Sequence, residues 1–575
     1  MKERFLLKKK PVAGRSAATT VKLEKNDDFL KRAVSASWII LLIAAFFQCV
    51  LFTTVANITV VLCVLFAWNI ITKFFLINVQ LQNYPLSTFL IIGFAVTQFY
   101  FPIVFTLLEG KPVVFNLILP YTIFAHSIVA LIILLFAHAI YRSLAGQYRS
   151  HRILTRVGLF EPPTDFQLWA MGFLGLIAMY YVYFYSPSVG REITGPIDKA
   201  IQGLAPFTYA PFLIPFGKLY GRKGPAPKRL LPMLLVFAVM LFVVSLGRNS
   251  RGAFMLGFAS IAFAYALGLL LGVFKSQLLT FKNVAIVSMI VWLLTGPVAD
   301  LGTAMVLVRA QRNSVNRSEL IERTLEKYRD KDALQAAKIA SKLEVRDWDE
   351  HYMDNIFLAR FCNIKLNDAS LVMAEKLGEH NEDVLAFSMG RLIASLPEPV
   401  IDLIGLEVDK KFVTSSSFGD FMYYKTGAGE SSLGSFRTGQ FAGTGMAAFG
   451  WWYLLILGVG MIPVFFLFDK MTLKRYLPST GDLPFRKEVR FSVCGLLLLY
   501  ATFIFLYEES VVSIGTFIIR GYPQKIVLYL VAYHITRVIG NIIQRIFRSK
   551  QSIKVRPIQA QPTGYDFSKP VYNGQ

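Results

Sequence analysis

Two arginines in the segment VVSLGRNSRGAF have the side-chain chemistry and the spacing to hold an anion. Arg248 follows one long apolar run, where the negative end of a helix dipole favours a cation, whereas Arg251 begins the next run, where the positive end disfavours one. The first turn of a helix also has free backbone N–H groups, which favour a bound anion. A bound anion would therefore explain why an arginine stands at the start of this helix. The alternative is that both side chains contact lipid headgroups.

Further arginines favour the anion hypothesis. Arg437 lies in SFRTGQFAGTG, a glycine-rich approach to another apolar run, which is again the anion-binding end of a helix. Guanidinium groups make bidentate contacts with phosphate oxygens. Taken singly, each arginine is more simply a surface or ion-paired residue, but the set predicts a pocket for a phosphorylated ligand. The wider set is Arg191, Arg309, Arg312, Arg360, Arg391, Arg437 and Arg520. The residues predicted to contact this ligand are Arg248, Arg251 and Arg437, followed by Arg309, Arg360 and Arg520.

Acid–base candidates are few. In the polar region, His351 and His380 could titrate near neutral pH. The acidic candidates are Asp354, Asp420, Glu430, Glu508 and Glu509, although a solvated or salt-bridged carboxylate is the more common explanation for each.

Metal and nucleotide chemistry have weak sequence support. RDWDE contains a D-x-D triplet, Asp347 and Asp349, but three-letter matches in a charged helical region are common by chance. The chain has no H-E-x-x-H, Walker or G-x-G-x-x-G pattern, and GAGESSLG follows no strand, as a nucleophile elbow would require. The sequence therefore predicts no metal site and no cofactor.

Long apolar runs must position these residues. The chain has 575 residues, of which 54% are hydrophobic, and runs of roughly 20 apolar residues recur, as membrane-crossing helices require. The pattern predicts an all-α polytopic membrane protein with about twelve transmembrane helices and one large outward-facing helical loop. The predicted spans are 35–53, 56–72, 86–108, 115–140, 165–185, 201–217, 230–247, 252–273, 282–303, 441–467, 490–507 and 523–541.

The domain organisation follows from these spans. We predict a basic cytoplasmic tail at 1–34, helices one to nine at 35–305, a large periplasmic or extracellular loop at 306–440, helices ten to twelve at 441–545 and a polar cytoplasmic tail at 546–575. With the N-terminus inside, the short inner loops hold 18 lysines and arginines against 6 in the short outer loops, as the positive-inside rule requires. GRNSRG therefore faces outward.

The net charge of +23 does not indicate nucleic-acid binding. The region 306–440 holds 18 basic against 21 acidic residues, so the basic excess lies in the tails and in the loops beside the spans. Basic residues at these places are explained by the positive-inside rule and by attraction to anionic lipid headgroups. We expect membrane lipids, and no nucleic acid, as partners.

Four segments resemble a known family. SRGAF after an apolar run, LARFCNIK, SLPEPVIDLIG and SSLGSFRTG followed by FGWWYLLILGVGMIPVFF are similar to bacterial oligosaccharide repeat-unit polymerases, the O-antigen polymerase family. The resemblance covers roughly residues 85–545, mostly through architecture. It implies a metal- and nucleotide-independent glycosyltransferase of the bacterial inner membrane. Its substrates would be polyprenyl-diphosphate-linked oligosaccharides, and a chain-length regulator and a flippase are candidate partners.

The reaction implied by the resemblance transfers a growing glycan from its polyprenyl diphosphate carrier onto a lipid-linked repeat unit, in O-antigen, capsule or exopolysaccharide biosynthesis. The predicted arginines would contact the departing diphosphate and stabilise it without a metal. His351 or Glu430 would be the catalytic base that takes the proton of the acceptor hydroxyl. An O-antigen ligase-type transferase stays open, because the sequence does not separate the two reactions. A secondary transporter or lipid-linked glycan flippase is less well supported, because charge within the spans is nearly absent and one large loop breaks any pattern of two halves. A non-catalytic membrane scaffold is the remaining alternative.

Overall fold

The protein is a predominantly helical, multi-pass membrane protein. The computed structural model describes residues 14–145, 152–185, 188–189, 192–193, 196–247, 251–274, 285, 289, 292, 296–308, 317–336, 348–434, 437–478 and 485–552. Within them, seven helices are long and apolar enough to cross a membrane. These are Phe29–Leu51, Val55–Phe74, Pro85–Leu108, Pro120–Ala145, Asp165–Phe184, Trp452–Asp469 and Val512–Ile546.

Shorter elements complete the described part of the chain. The α-helices are Gly14–Leu51, Val55–Phe74, Asn78–Asn83, Pro85–Ala95, Phe101–Leu108, Pro120–Ala145, Arg152–Arg156, Asp165–Phe184, Pro196–Gln202, Gly217–Tyr220, Leu230–Gly247, Arg251–Leu270, Pro297–Leu307, Arg317–Arg329, Ile356–Ala359, Ile364–Leu377, Glu382–Ala394, Glu398–Ile404, Lys410–Ser415, Phe418–Tyr423, Phe441–Phe449, Trp452–Asp469, Val493–Leu497, Leu499–Phe503, Val512–Thr516 and Tyr522–Ser552. The 3₁₀-helices are Ala205–Phe216, Glu430–Ser432 and Phe505–Tyr507, and the π-helices are Val96–Tyr100, Tyr424–Ala428 and Phe517–Gly521. Two antiparallel hairpins pair Ser188–Val189 with Glu192–Ile193 and Thr472–Pro478 with Phe485–Phe491.

The first two spans present apolar side chains to the outside of the fold. Ile39, Phe46 and Leu62 are each more than half exposed, which suits contact with lipid and would be costly in water. Val60, Val64 and the other inward-facing residues of these helices join the common core. One face of each helix therefore packs on protein, and the other is left for the bilayer.

The sequence predicts a tight hairpin between these spans that turns at Val55–Asn57; the structure has the hairpin, but its turn lies at residues 52–54 and Val55 already begins the second helix. The first helix ends at Leu51, and Thr54 caps the second by accepting a hydrogen bond from the Asn57 backbone N–H. Asn57 is fully buried, and its Oδ1 accepts a hydrogen bond from Val113 N at 3.0 Å. Gln48 Oε1 accepts from the same N–H at 3.0 Å. The turn is thus fastened to the segment that follows the third span.

The predicted span 201–217 forms a 3₁₀-helix, Ala205–Phe216, rather than an α-helix. Pro211 and Pro215 lie inside it and cannot donate the backbone hydrogen bonds of an α-helix. The segment packs closely on the helix Asp165–Phe184, because a Cβ added at Gly175 would lie 2.3 Å from Thr208 N. Only a glycine permits this approach.

Two further predicted spans are broken. The span 441–467 divides at Gly450, whose φ of 54° ends the helix Phe441–Phe449 before Trp452–Asp469 begins. A Cβ at Gly443 would lie 2.3 Å from the Ser370 carbonyl carbon, so this short helix packs tightly on Ile364–Leu377. The span 490–507 consists of the three short helices between Val493 and Tyr507. Half of the predicted span 282–303 lies outside the described residues, and its end falls in the helix Pro297–Leu307.

The polar region 306–440 is helical where it is described, as predicted. A helix covers Arg317–Arg329. The spacing of Asn316 and Glu319 resembles a capping box and predicts a helix start there, but Asn316 lies outside the described residues. The sequence predicts a helix break at Pro397 and Pro399, and the structure has it: Pro397 stands at the N-cap position of Glu398–Ile404, after a 120° bend from Glu382–Ala394. This bent pair is apolar enough to count as an eighth candidate span.

Candidate functional site

A short helix, Phe418–Tyr423, organises the polar groups at the end of the 306–440 region. Ser417 caps it, because its Oγ accepts a hydrogen bond from Asp420 N at 3.0 Å. Phe418 N, which has no acceptor within the helix, donates to Glu509 Oε2 at 2.9 Å. Two of the free donors of the first turn are thereby satisfied, one by a local hydroxyl and one by a carboxylate from a distant segment.

Arg437 is held against this helix by several contacts. Its backbone N–H donates to Asp420 Oδ1 at 2.9 Å, and its Nη1 lies 3.4 Å from the same oxygen. Nη1 also donates to Ser432 O at 3.1 Å, and the guanidinium lies 4.5 Å from the centre of the Tyr423 ring. Asp420 is fully buried, whereas 27% of the Arg437 side chain is exposed. The guanidinium is therefore held by these contacts, while the side chain as a whole is partly exposed.

Close backbone packing sets the position of Arg437. Ser417 Oγ donates to Arg437 O at 2.6 Å. A Cβ added at Gly419 would lie 2.5 Å from that same carbonyl oxygen and 3.0 Å from Gly439 N. Real Cβ atoms do not approach so closely, so residue 419 must be glycine for the two segments to meet.

A second arginine lies beside the first turn of the same helix. Arg391 Nη2 lies 3.9 Å from Glu509 Oε2, and both side chains are 26% exposed. Arg391 Nη1 donates to Val413 O at 2.9 Å, and the guanidinium lies 5.4 Å from the centre of the Phe418 ring. We call Arg391, Asp420, Arg437 and Glu509 the arginine–carboxylate cluster.

The environment of Glu509 favours its neutral form. Burial raises the pKa of this carboxyl to about 7, since desolvation penalises the charged form. The Phe418 N–H and the Arg391 charge act in the opposite direction, whereas the charges of Glu508 and Asp420 raise the pKa further. Glu509 is thus poised to exchange a proton near neutral pH.

His351 lies in a separate group of charges. Lys111 Nζ lies 2.8 Å from Glu109 Oε2 and 2.9 Å from Asp354 Oδ1. His351 Nε2 lies 3.5 Å from Asp354 Oδ1 and has no hydrogen-bond partner among the described residues. Burial and the Lys111 charge lower the pKa of His351, so the imidazole is neutral at pH 7.

An aromatic contact links the two groups. The Trp348 ring lies 6.2 Å, centre to centre, from Tyr423, the ring that Arg437 covers. His351 follows Trp348 by three residues, and its carbonyl oxygen accepts a hydrogen bond from Asn116 Nδ2 at 2.7 Å. The structure therefore brings the segment that carries His351 next to the ring under Arg437.

The other residues predicted to contact a diphosphate are less closely tied to this cluster. Arg360 and Arg520 are exposed, the latter in the π-helix Phe517–Gly521. Arg251 begins the helix Arg251–Leu270, as predicted, but its side chain is not described. Arg248 and Arg309 lie outside the described residues, as do Arg191 and Arg312 of the wider set.

The other catalytic and metal-binding predictions can also be located. Glu430 begins the 3₁₀-helix Glu430–Ser432, and its side chain is exposed. Asp347 lies outside the described residues, whereas Asp349 Oδ1 accepts a hydrogen bond from His351 N at 2.8 Å. The part of the chain that the structure describes contains no cluster of three or more histidine, cysteine, aspartate or glutamate side chains suited to a metal ion.

Sequence reasoning missed the pairing within the cluster. Arg391, Asp420 and Glu509 were among the candidate charges, but nothing local connects residues so far apart in the chain. One usable signal was Ser417 followed three residues later by Asp420, a spacing typical of a helix start. That spacing could have placed Asp420 in a first turn, but not beside Arg437.

Comparisons of this chain with protein families, with curated proteins and with solved structures returned no match.

Proposed function

We propose that this protein is a polysaccharide polymerase of the bacterial inner membrane. It would transfer a growing glycan from a polyprenyl diphosphate carrier onto a lipid-linked oligosaccharide repeat unit at the outer face. The proposal includes twelve spans, cytoplasmic termini and an outward-facing 306–440 region. Its support is the family resemblance of the sequence together with the arginine–carboxylate cluster.

The single observation that carries the proposal is the way Arg437 is held. Its guanidinium is oriented by Asp420, Ser432 and the Tyr423 ring, yet 27% of the side chain stays exposed. A purely structural ion pair would not require an exposed face, whereas a diphosphate-binding arginine does. Orienting contacts of this kind fix a charge before the substrate arrives, so that little reorganisation is needed during the reaction.

The chemistry requires stabilisation of the leaving group and removal of one proton. An acceptor hydroxyl attacks the anomeric carbon of the growing glycan, and the bond from that carbon to the diphosphate oxygen breaks. The diphosphate leaves with the bonding electron pair, and its increasing negative charge is stabilised by Arg437, with Arg251, Arg248, Arg309, Arg360 and Arg520 as further predicted contacts. His351 and Glu430 are the bases predicted from the sequence.

The test is polymerisation by the purified full chain in lipid nanodiscs. The substrate is the lipid-linked repeat unit extracted from membranes of cells that lack this gene. We expect a ladder of lengthened, lipid-linked glycans without added nucleotide or metal. Transfer of preformed polymer to a different acceptor would indicate a ligase, and movement of the lipid across vesicles without lengthening would indicate a flippase. Either result contradicts the proposal.

Arginine variants test whether the reaction depends on the arginine–carboxylate cluster. Removal of one preorganised charge contact in an active site typically lowers kcat by about 10²–10³-fold, which we expect for Arg437→Ala, with partial recovery in Arg437→Lys. The matched control is Arg323→Ala, because Arg323 lies in the same polar region in an exposed i,i+4 pair with Glu319. Equal activity of the Arg437→Ala and Arg323→Ala proteins would contradict the proposed role of Arg437.

A further inference from the structure

We propose that Glu509 is the group that takes the proton from the acceptor hydroxyl, and that Arg391 is a positioning residue for it. This inference rests on the proposed polymerase function and replaces the two bases predicted from the sequence. It starts from contacts that hold one carboxylate beside the first turn of the helix that carries Asp420.

Glu509 is fixed at two points by two different segments. Its Oε2 accepts a hydrogen bond from Phe418 N at 2.9 Å, and its backbone carbonyl oxygen accepts from Thr444 Oγ1 at 2.8 Å. Its Oε1 has no hydrogen-bond donor within the described residues, and 26% of the side chain is exposed. The carboxylate therefore has one oxygen anchored by the backbone and the other available to a substrate hydroxyl.

Arg391 acts on Glu509 through its charge. The 3.9 Å separation of Nη2 and Oε2 is too long for a hydrogen bond. The guanidinium is held in place by Val413 O and by the Phe418 ring. Arg391 can thus orient and partly stabilise the carboxylate without occupying the lone pair that would accept a proton.

The groups that face Glu509 adjust its proton affinity. They are Arg391 from the helix Glu382–Ala394, Asp420 and the Phe418 N–H from the next short helix, and the adjacent Glu508. Together with burial they place the pKa of Glu509 at about 7. A general base works best when its pKa lies near the working pH. Neither predicted base combines this environment with accessibility, since Glu430 is exposed and His351 Nε2 is buried.

Arg437, which contacts the leaving group, and Glu509, the proposed base, are both held by the first turn of the helix Phe418–Tyr423. Phe418, which holds Glu509, and Asp420, which holds Arg437, are two residues apart, a rise of about 3 Å along the helix axis. One site can therefore take the hydroxyl proton onto Glu509 while Arg437 stabilises the diphosphate that departs from the anomeric carbon. The new glycosidic bond forms as the bond to the diphosphate breaks, and Glu509 then releases its proton to water.

The experiment compares Glu509→Gln with the wild-type chain in the same nanodisc assay. We expect kcat to fall by about 10²–10⁴-fold, the usual contribution of a general base, with KM for the extracted lipid-linked unit changed less than threefold. Glu509→Asp should retain more activity than Glu509→Gln, because it keeps a carboxylate. Glu375→Gln, an exposed position on the helix Ile364–Leu377, is the matched control and should behave as wild type.

The pH profile separates a base from a structural residue. Wild-type kcat should rise with pH through about 7 and then level off, because Glu509 must be ionised to accept a proton. Arg391→Gln removes a charge that lowers the pKa of Glu509, so the rising limb should move to higher pH. Arg391→Lys keeps the charge and should move it less. This comparison decides the question even if Glu509→Gln fails to fold.

The possible failures are distinguishable. If the wild-type chain does not lengthen the extracted lipid-linked unit, the polymerase proposal falls and the role of Glu509 falls with it. If the wild-type chain polymerises but folded Glu509→Gln retains kcat within threefold, only the assignment of the base is overturned. An Arg391→Gln profile identical to that of wild type would also overturn it.

Discussion

Gly419→Ala tests whether the exact position of Arg437 matters, since it changes no charge. A Cβ at this residue would lie 2.5 Å from Arg437 O, so the two segments must separate by about 0.9 Å to restore an ordinary contact. Overpacking of this kind costs about 1–3 kcal/mol of stability. A displacement of about 1 Å in a catalytic group can cost about 10²-fold in rate. We therefore expect a modest loss of thermal stability together with a large loss of kcat.

The matched control is Gly257→Ala, in the helix Arg251–Leu270. The nearest atom to a Cβ there is Phe212 Cε2 at 3.4 Å, an ordinary contact, and replacement of a helical glycine by alanine stabilises by about 0.5–1 kcal/mol. Both variants are assayed for glycan lengthening in nanodiscs and for thermal unfolding in the same detergent. If Gly419→Ala kept wild-type kcat while losing stability, the position of Arg437 would have no bearing on the reaction, and the reasoning would be refuted.

Three other substitutions test the charges. Asp420→Asn should lower the thermal midpoint, because a hydrogen bond to a charged group contributes about 1.5–3 kcal/mol and Arg437 loses its buried carboxylate; an unchanged midpoint would contradict this. Asp469→Asn should cost about 1.5–3 kcal/mol of stability, the contribution of a hydrogen bond to a charged group, because this buried carboxylate accepts from two backbone N–H groups and from Ser87 Oγ at 2.6 Å; thermal unfolding measures it, and a loss below about 0.5 kcal/mol would count against it. His351→Gln should leave the kcat–pH profile above pH 6.5 unchanged, because burial lowers the pKa of His351 from 6.5 and the ring is already neutral there; a shifted limb would assign the base to His351 instead.

The local pattern of the sequence was sufficient to predict the positions of the long helices. Apolar runs predicted spans at 115–140 and 165–185, and the structure has Pro120–Ala145 and Asp165–Phe184. The helix start at Arg251 and the break at Pro397 were also predictable. These features depend on residues that are neighbours in the chain, and their physical causes, apolar length and proline geometry, act locally.

Local geometry and tertiary packing together decided where apolar runs do not become continuous α-helices. The segment 201–217 is as apolar as its neighbours, yet its close contact with Gly175 and its internal prolines give a 3₁₀-helix. The segment 441–467 breaks at Gly450, where the chain must turn for Phe441–Phe449 to pack on Ile364–Leu377. Hydropathy measures whether a segment avoids water and carries no information about which surface will cover it.

The sequence by itself determined that this chain lies in a membrane and that it carries many arginines beside the spans. It could not determine which charges meet, because Arg391 and Glu509 are adjacent only after the helix Phe418–Tyr423 has brought their segments together. The raised pKa of Glu509 likewise arises from burial by residues distant in the chain. Burial and charge pairing are properties of the folded arrangement, so only the tertiary structure distinguishes this carboxylate from the other acidic candidates.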